Sequence, residues 1–133
     1  MTKKYNHSDC FAYFSVVPKN LRWSWSGKSE DNSVVAVTLW QDRFEGGGKI
    51  YRSRNHRGDE WWLHSPGNSE LMDNLELARD NLDGVVQVIV AIPKDKSASP
   101  RSIKECFPHP SLRMRVTQLD RVTGEFTLER IDT

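Results

Sequence analysis

Two apolar, β-branched segments place the strongest limit on how this chain can fold. Residues 34–40 and 85–92 carry apolar side chains at nearly every position, with hardly any polar alternation. Strands of this kind are buried on both faces, because neither face suits water. The fold must therefore cover two central strands from both sides, which indicates layers of sheet and helix.

A helix is predicted between these two strands. Apolar side chains recur at the spacing of one helix face, Asn68 or Ser69 supplies an N-cap, and Asp83 with Gly84 ends the segment. The apolar positions are Leu71, Leu75, Ala78 and Leu82. This segment is the main helix of the predicted fold.

Shorter segments are predicted to complete the sheet. Residues 21–26 alternate strictly, which indicates a half-buried strand with Trp23 and Trp25 facing the core. Residues 49–53 and 60–63 resemble short strands, and residues 112–128 indicate a closing hairpin. The outward positions of the first strand are Arg22, Ser24 and Ser26.

Two segments have a less regular pattern. Residues 8–17 fit a short helix behind a Ser8 or Asp9 cap, or a short strand, and the run is too short for periodicity to decide. Residues 101–106 favour a short turn of helix. The predicted class is α+β: one globular domain over residues 1–133, with a curled, mostly antiparallel sheet or small open barrel of about six strands, one main helix and one or two short helices.

The charge balance limits the partners of the chain. Nineteen Lys and Arg residues nearly cancel eighteen Asp and Glu residues, so any contact with nucleic acid must be local. Residues 1–9 are polar and no stretch approaches the roughly 20 apolar residues of a membrane span, which predicts a cytoplasmic protein without a membrane partner. With only Cys10 and Cys106, a disulfide is not expected.

A basic cluster followed by two tryptophans is the main candidate binding site. Residues 49–57 contain four Lys or Arg residues and no acid, and Trp61 and Trp62 follow directly. Phosphate is bound by arginine and a base face stacks on a flat ring, so this pattern indicates binding of a single-stranded or flipped base. The alternative is that these arginines pair with acids of the main helix and one tryptophan fills the core. The candidate residues are Trp40, Lys49, Arg52, Arg54, Arg57, Trp61, Trp62 and Arg101.

A second candidate is a metal site formed by the two ends of the chain. His7 and Cys10 are separated by two residues, and so are Cys106 and His109. Together the four residues could supply the two sulfur and two nitrogen ligands of a tetrahedral zinc site. Cysteine is also common as a small buried apolar residue, which is the competing interpretation. The expected cofactor is none.

The chain has no recognisable catalytic motif. Gly46, Gly47 and Gly48 precede Lys49 without the spacing or the following Ser or Thr of a phosphate-binding loop. Asp42, Glu45 and Lys49 match the residue types of a metal-dependent nuclease, yet they fall in a loop instead of on adjacent strands. A non-catalytic function is therefore expected, and nuclease activity is a lesser alternative.

The order of segments resembles the PUA-like superfamily, including its EVE, ASCH and SRA-type members. The resemblance is one of pattern over most of the chain, and it implies a small curled barrel that binds a nucleotide or modified base in an aromatic-lined cleft without chemistry. It implies stacking by Trp40, Trp61 or Trp62 and phosphate contacts by Arg52, Arg54 or Arg101. The similar segments are residues 11–14 (Phe-Ala-Tyr-Phe), residues 23–26 (Trp-Ser-Trp-Ser), the helix ending at Gly84, residues 85–92 and residues 112–128.

The competing function is a protein-interaction or accessory factor, including one that associates with itself. Tryptophan and arginine are also the residues that dominate protein interfaces, so composition does not separate the two classes. Salt does, because nucleic-acid binding weakens steeply as salt rises. A small-molecule pocket is a third class, for which no such salt dependence is expected.

Overall fold

The computed structural model describes residues 6–20, 24–53, 66–95, 97 and 103–131. In these ranges the chain forms two helices, seven strands and one 3₁₀ turn. In chain order they are α1 (His7–Tyr13), β1 (Ser26–Lys28), β2 (Val35–Trp40), the 3₁₀ turn (Gln41–Arg43), β3 (Phe44–Glu45), β4 (Ile50–Arg52), α2 (Pro66–Asn81), β5 (Val85–Pro93), β6 (Ile103–Asp120) and β7 (Glu125–Arg130).

All seven strands join one sheet in the order β1-β2-β5-β6-β7-β4-β3. The β2–β5 pair is parallel and the other neighbours are antiparallel. β6 is long enough to pair with β5 in its first part and with β7 in its second part. The prediction of an α+β fold with a mostly antiparallel sheet is confirmed, with seven strands instead of about six.

The link between β2 and β3 requires the sheet to curl. β2 is second in the sheet and β3 is last, so five strand spacings of about 4.8 Å, roughly 24 Å, would separate them in a flat sheet. Only residues 41–43 connect Trp40 to Phe44, and four steps along the chain reach at most about 14 Å. The curl brings β4 near the end of β2, where the backbone N–H of Trp40 donates a hydrogen bond of 3.2 Å to the Tyr51 hydroxyl. β1 and β3 remain as edges, so the sheet stays open.

Two apolar clusters cover the central strands, one on each face. Val37 and Leu39 of β2 pack in a cluster that includes Leu71 and Leu75 of α2. Ala36 of the same strand packs in a second cluster with Phe11 of α1. The prediction that residues 34–40 and 85–92 are covered on both faces is confirmed, since β5 also contributes to both clusters.

The helix interpretation of residues 8–17 is confirmed for its first part. α1 begins at His7 and is capped by Asn6 instead of the predicted Ser8 or Asp9; the Asn6 side chain accepts a hydrogen bond of 2.7 Å from the Asp9 N–H. The Asp9 carboxylate in turn accepts a hydrogen bond of 3.2 Å from the Asn6 N–H, and the two bonds together form a capping box. The cap fixes the direction in which Cys10 and Phe11 enter the core.

Three further predictions, about the limits of elements and the face of a strand, were wrong. α2 extends back to Pro66, so Asn68 lies buried inside the helix instead of capping it. Residues 103–106 are strand and not helix, because Glu105 and Cys106 pair with β5; residues 101–102 lie outside the described ranges. Ser24 and Ser26 are buried instead of outward: the Ser26 hydroxyl accepts a hydrogen bond of 2.8 Å from the Asn74 amide of α2, and the Ser24 hydroxyl accepts one of 3.0 Å from the Asn20 N–H.

In the described ranges, neither helix combines the length and the apolar character that crossing a bilayer needs.

Candidate functional site: an aromatic cluster beside the end of β2

Trp40 and Trp25 form the centre of a partly exposed aromatic cluster. Trp40 is the last residue of β2 and packs against the apolar cluster that contains Phe11. Trp25 precedes β1, and its ring centroid lies 5.3 Å from that of Trp40 with the ring planes tilted by 51°. Both residues are half-buried, so neither is completely enclosed in the core.

His7 of α1 completes the cluster. Its ring stacks on Phe11 at 4.5 Å and lies 6.1 Å from the Trp25 ring. Its Nε2 shares a hydrogen bond of 2.8 Å with the Thr38 hydroxyl of β2. Burial lowers the pKa of His7 to about 4, so the imidazole is neutral near neutral pH. The cluster therefore presents flat, uncharged rings together with one hydrogen-bonding heterocycle.

A separate polar groove lies on β4, β6 and β7. It has a volume of about 910 Å³ and is lined largely by exposed positions that alternate with the buried Tyr51 and Leu128. Arg52 of β4 is the one basic residue among its described lining residues, and it is 3.9 Å from the Glu45 carboxylate. Three acids share the groove, so it is a poor place for phosphate. These acids are Asp120, Glu125 and Glu129.

The described candidate residues do not meet in one cleft. Trp40 belongs to the aromatic cluster and does not line the groove, whereas Arg52 lines the groove. Lys49 is exposed in the turn between β3 and β4. The remaining candidates lie outside the described residues: Arg54, Arg57, Trp61, Trp62 and Arg101.

Three acidic side chains of α2 interact with residues outside the basic cluster of residues 49–57. Arg121, at the tip of the β6–β7 hairpin, pairs with Asp73 at 2.7 Å and with Glu76 at 3.0 Å. Glu70 is buried, and its Oε2 accepts a hydrogen bond of 2.7 Å from the Lys19 N–H. Arg52 instead pairs with Glu45. The alternative interpretation, in which the arginines of the basic cluster pair with α2, does not hold for Arg52, and Arg54 and Arg57 lie outside the described residues.

The candidate metal ligands are only partly brought together. The Cys10 and Cys106 sulfurs are 3.6 Å apart, but His7 bonds Thr38 and the His109 Nδ1 lies 3.4 Å from the Ser111 hydroxyl. Within the part of the chain that the structure describes, no three His, Cys, Asp or Glu residues are arranged to hold a metal ion. The four candidate ligands are therefore not grouped together in this structure, while the two cysteines do meet.

Sequence reasoning missed the association of His7 and Trp25 with Trp40. The three residues come from α1, the segment before β1, and β2, and no period relates their positions. The i, i+4 spacing of His7 and Phe11 was the available signal, since it places both rings on one face of α1.

The fold and the site define an α+β protein with an open, curled seven-stranded sheet and a partly exposed aromatic cluster where the parallel strand β2 ends. Comparison with known proteins finds no match for the chain among family models, curated proteins or solved structures.

Proposed function

We propose that this protein is a non-catalytic binding module that stacks a nucleic-acid base, single-stranded or modified, on the aromatic cluster of Trp25 and Trp40. The observation that carries the proposal is the half-buried pair of rings at 5.3 Å. Base-on-ring stacking contributes about 1–3 kcal/mol per base and tolerates any base, because every base has a π-face. The neutral His7 adds a hydrogen-bonding edge next to the rings.

In this proposal, different residues bind the base and the phosphates. The aromatic cluster holds the base, and the phosphates contact Arg54 and Arg57 of the basic cluster and the separate Arg101. Lys49 and Arg52 have at most a secondary role, since acids share the groove with Arg52. The resemblance to PUA-like base readers points to the same class of ligand. The proposal includes a cytoplasmic location, where the two thiols would stay reduced.

The test measures binding of labelled oligonucleotides by fluorescence anisotropy. The panel contains single- and double-stranded DNA and RNA, with plain and modified bases, at low and moderate salt. Trp40→Leu keeps an apolar side chain but removes the ring, and it should raise Kd about tenfold or more. Trp40→Phe keeps a ring and should stay within about threefold of the parent.

Controls separate the base contact from the phosphate contact. Arg54→Gln and Arg57→Gln should weaken binding and lower its salt dependence, whereas Arg79→Gln should not, because Arg79 already pairs with Asp80 at 2.9 Å. Tyr13→Ala is the control for an exposed ring outside the cluster. Absence of binding across the panel, or equal loss in Trp40→Leu and Tyr13→Ala, would contradict the proposal.

A second candidate function is self-association or binding of a protein partner. Tyr13 and Val17 are large apolar residues that are 50% and 56% exposed, and Val17 forms a bridge to Lys28 of the edge strand β1. Sedimentation across a range of concentrations tests self-association. A Tyr13→Ser, Val17→Ser double variant should remain monomeric if this surface is the interface, with the exposed Val122→Ser as the control.

A further inference from the structure

We propose that Cys10 and Cys106 form a reversible disulfide, generated by a hydroperoxide, that ties helix α1 to strand β6. The two cysteines are the whole cysteine content of the chain, so each thiol has one possible partner within the molecule. The inference rests on the geometry of the pair and stands independently of the proposed function.

The two sulfurs are already in contact. Cys10 Sγ lies 3.6 Å from Cys106 Sγ, and neither residue is in a disulfide in this structure. A disulfide bond is about 2.05 Å long, so the sulfurs must approach by roughly 1.5 Å. Cys10 lies on the short helix α1, which can shift towards the sheet more easily than a central strand can. Both thiols are buried, with exposures of 0% and 6%, so the pair is also shielded from chance reaction with other molecules.

The contact gives the two thiols different roles. The Cys10 thiol donates its hydrogen bond to the Cys106 sulfur, and this bond lowers the pKa of Cys106. The same bond, together with burial, raises the pKa of Cys10. Cys106 is held in strand β6, whereas Cys10 is carried by the helix that must move, so Cys106 is the thiol that reacts first and Cys10 is the resolving thiol.

The chemistry is a two-electron oxidation of the pair. The Cys106 thiolate attacks one oxygen of the hydroperoxide, the O–O bond breaks, and a sulfenic acid forms while the second oxygen leaves as water or alcohol. The Cys10 sulfur then attacks the sulfenic sulfur, the S–S bond forms, the S–O bond breaks, and water leaves with the Cys10 proton. One hydroperoxide is consumed for each disulfide, and a dithiol reductant reverses the change.

Access to the pair requires α1 to open. This helix has seven residues, and isolated helices of that length are marginal in water, so its docking depends on the cap and on Cys10 and Phe11. The disulfide would hold α1 in its docked position and, with it, His7 against Trp25 and Thr38. Oxidation would thus fix the arrangement of the aromatic cluster.

The experiment treats the reduced protein with hydrogen peroxide and follows it by intact mass and by alkylation in denaturant. The expected product has lost about 2 Da, has no thiol to alkylate, remains monomeric and regains both thiols with dithiothreitol. Its Tm should rise by roughly 10 °C, because the bond joins residues 96 positions apart and so closes a long loop. Cys10→Ser should show no mass loss and should stop at an oxidised Cys106.

The opening step has its own control. Asn6→Ala removes the cap of α1 and should speed disulfide formation about fivefold, whereas Asn81→Ala at the exposed end of α2 should leave the rate unchanged. Equal rates in both variants would overturn the opening step. The proposal itself is overturned if wild-type protein keeps both thiols, stops at a sulfenic or sulfinic acid, or forms disulfides only between two chains.

Discussion

The setting of the His7 imidazole favours its neutral form and makes the stability of the protein depend on pH. Burial lowers its pKa from 6.5 to about 4. The unfolded chain therefore takes up a proton at this residue near pH 6.5, while the folded chain takes it up only near pH 4. The resulting stability is fully present above pH 6.5 and is lost as pH falls from 6.5 to 4. We expect a loss of about 1–2 kcal/mol from His7 over this range, since the ring is only half-buried.

The measurement is chemical denaturation of the wild type and of His7→Phe near neutral and mildly acidic pH. Phenylalanine keeps a ring against Phe11 and cannot titrate, so carboxylates common to both proteins cancel in the comparison. The free energy of unfolding should fall more steeply with acid in the wild type. Parallel pH profiles, or an NMR titration of His7 near its ordinary pKa, would contradict the prediction.

At the scale of elements, the turn between α2 and β5 is fixed by close contact with β6. Gly84 has a φ of 80°, and an added Cβ would lie 2.9 Å from Arg115 Cγ and 3.3 Å from the Val116 carbonyl oxygen. The Gly84 carbonyl also accepts a hydrogen bond of 2.8 Å from the Val116 N–H. We expect Gly84→Ala to lower the free energy of unfolding by about 2–3 kcal/mol, from backbone strain and crowding together.

Gly47→Ala is the matched control for this prediction. Gly47 has a similar φ of 71°, but nothing lies within 4 Å of an added Cβ. Its substitution should cost about 1 kcal/mol, which is the backbone strain alone. Urea denaturation of both variants gives the difference, and equal losses would show that the contact with β6 carries no energetic weight.

The long, regular elements could be predicted from the sequence, and their ends could not. The apolar runs of β2 and β5 and the helical spacing in α2 are local patterns that remain visible without the fold. The burial of Ser26 depends on Asn74, 48 residues away, and the strand at Cys106 depends on pairing with β5. Such distant partners leave no signal in a short window of sequence.

At the scale of the whole molecule, the same limit applies to the candidate site. Trp40 was predicted as a binding residue from its type, but its neighbours Trp25 and His7 are brought to it by the curl of the sheet and the docking of α1. The Cys10 and Cys106 pair was named from the sequence as half of a metal site, and folding brings the sulfurs together without the histidines. The chemical types of the candidate residues could be read from the sequence. Their contacts with one another could not, because the topology of the fold determines them.

The hydrogen bond from Trp40 to Tyr51 gives a test of that topology. β2 and β4 are second and sixth in the sheet, so this bond forms only because the sheet is curled. Tyr51 is buried between Phe44 and Phe126, and Tyr51→Phe should preserve that packing while it removes the acceptor of the Trp40 N–H. We expect a loss of about 1–2 kcal/mol in the free energy of unfolding and faster amide exchange at Trp40.

Tyr13→Phe is the control for removal of a tyrosine hydroxyl, because Tyr13 is 50% exposed. Its free energy of unfolding should change by less than about 0.5 kcal/mol. If Tyr51→Phe behaved like Tyr13→Phe and left exchange at Trp40 unchanged, β4 would not be held against the end of β2 in solution. The aromatic cluster would then be held without β4, by the pairing of Trp40 with Ala91 of β5 and by the packing of α1 against the end of β2.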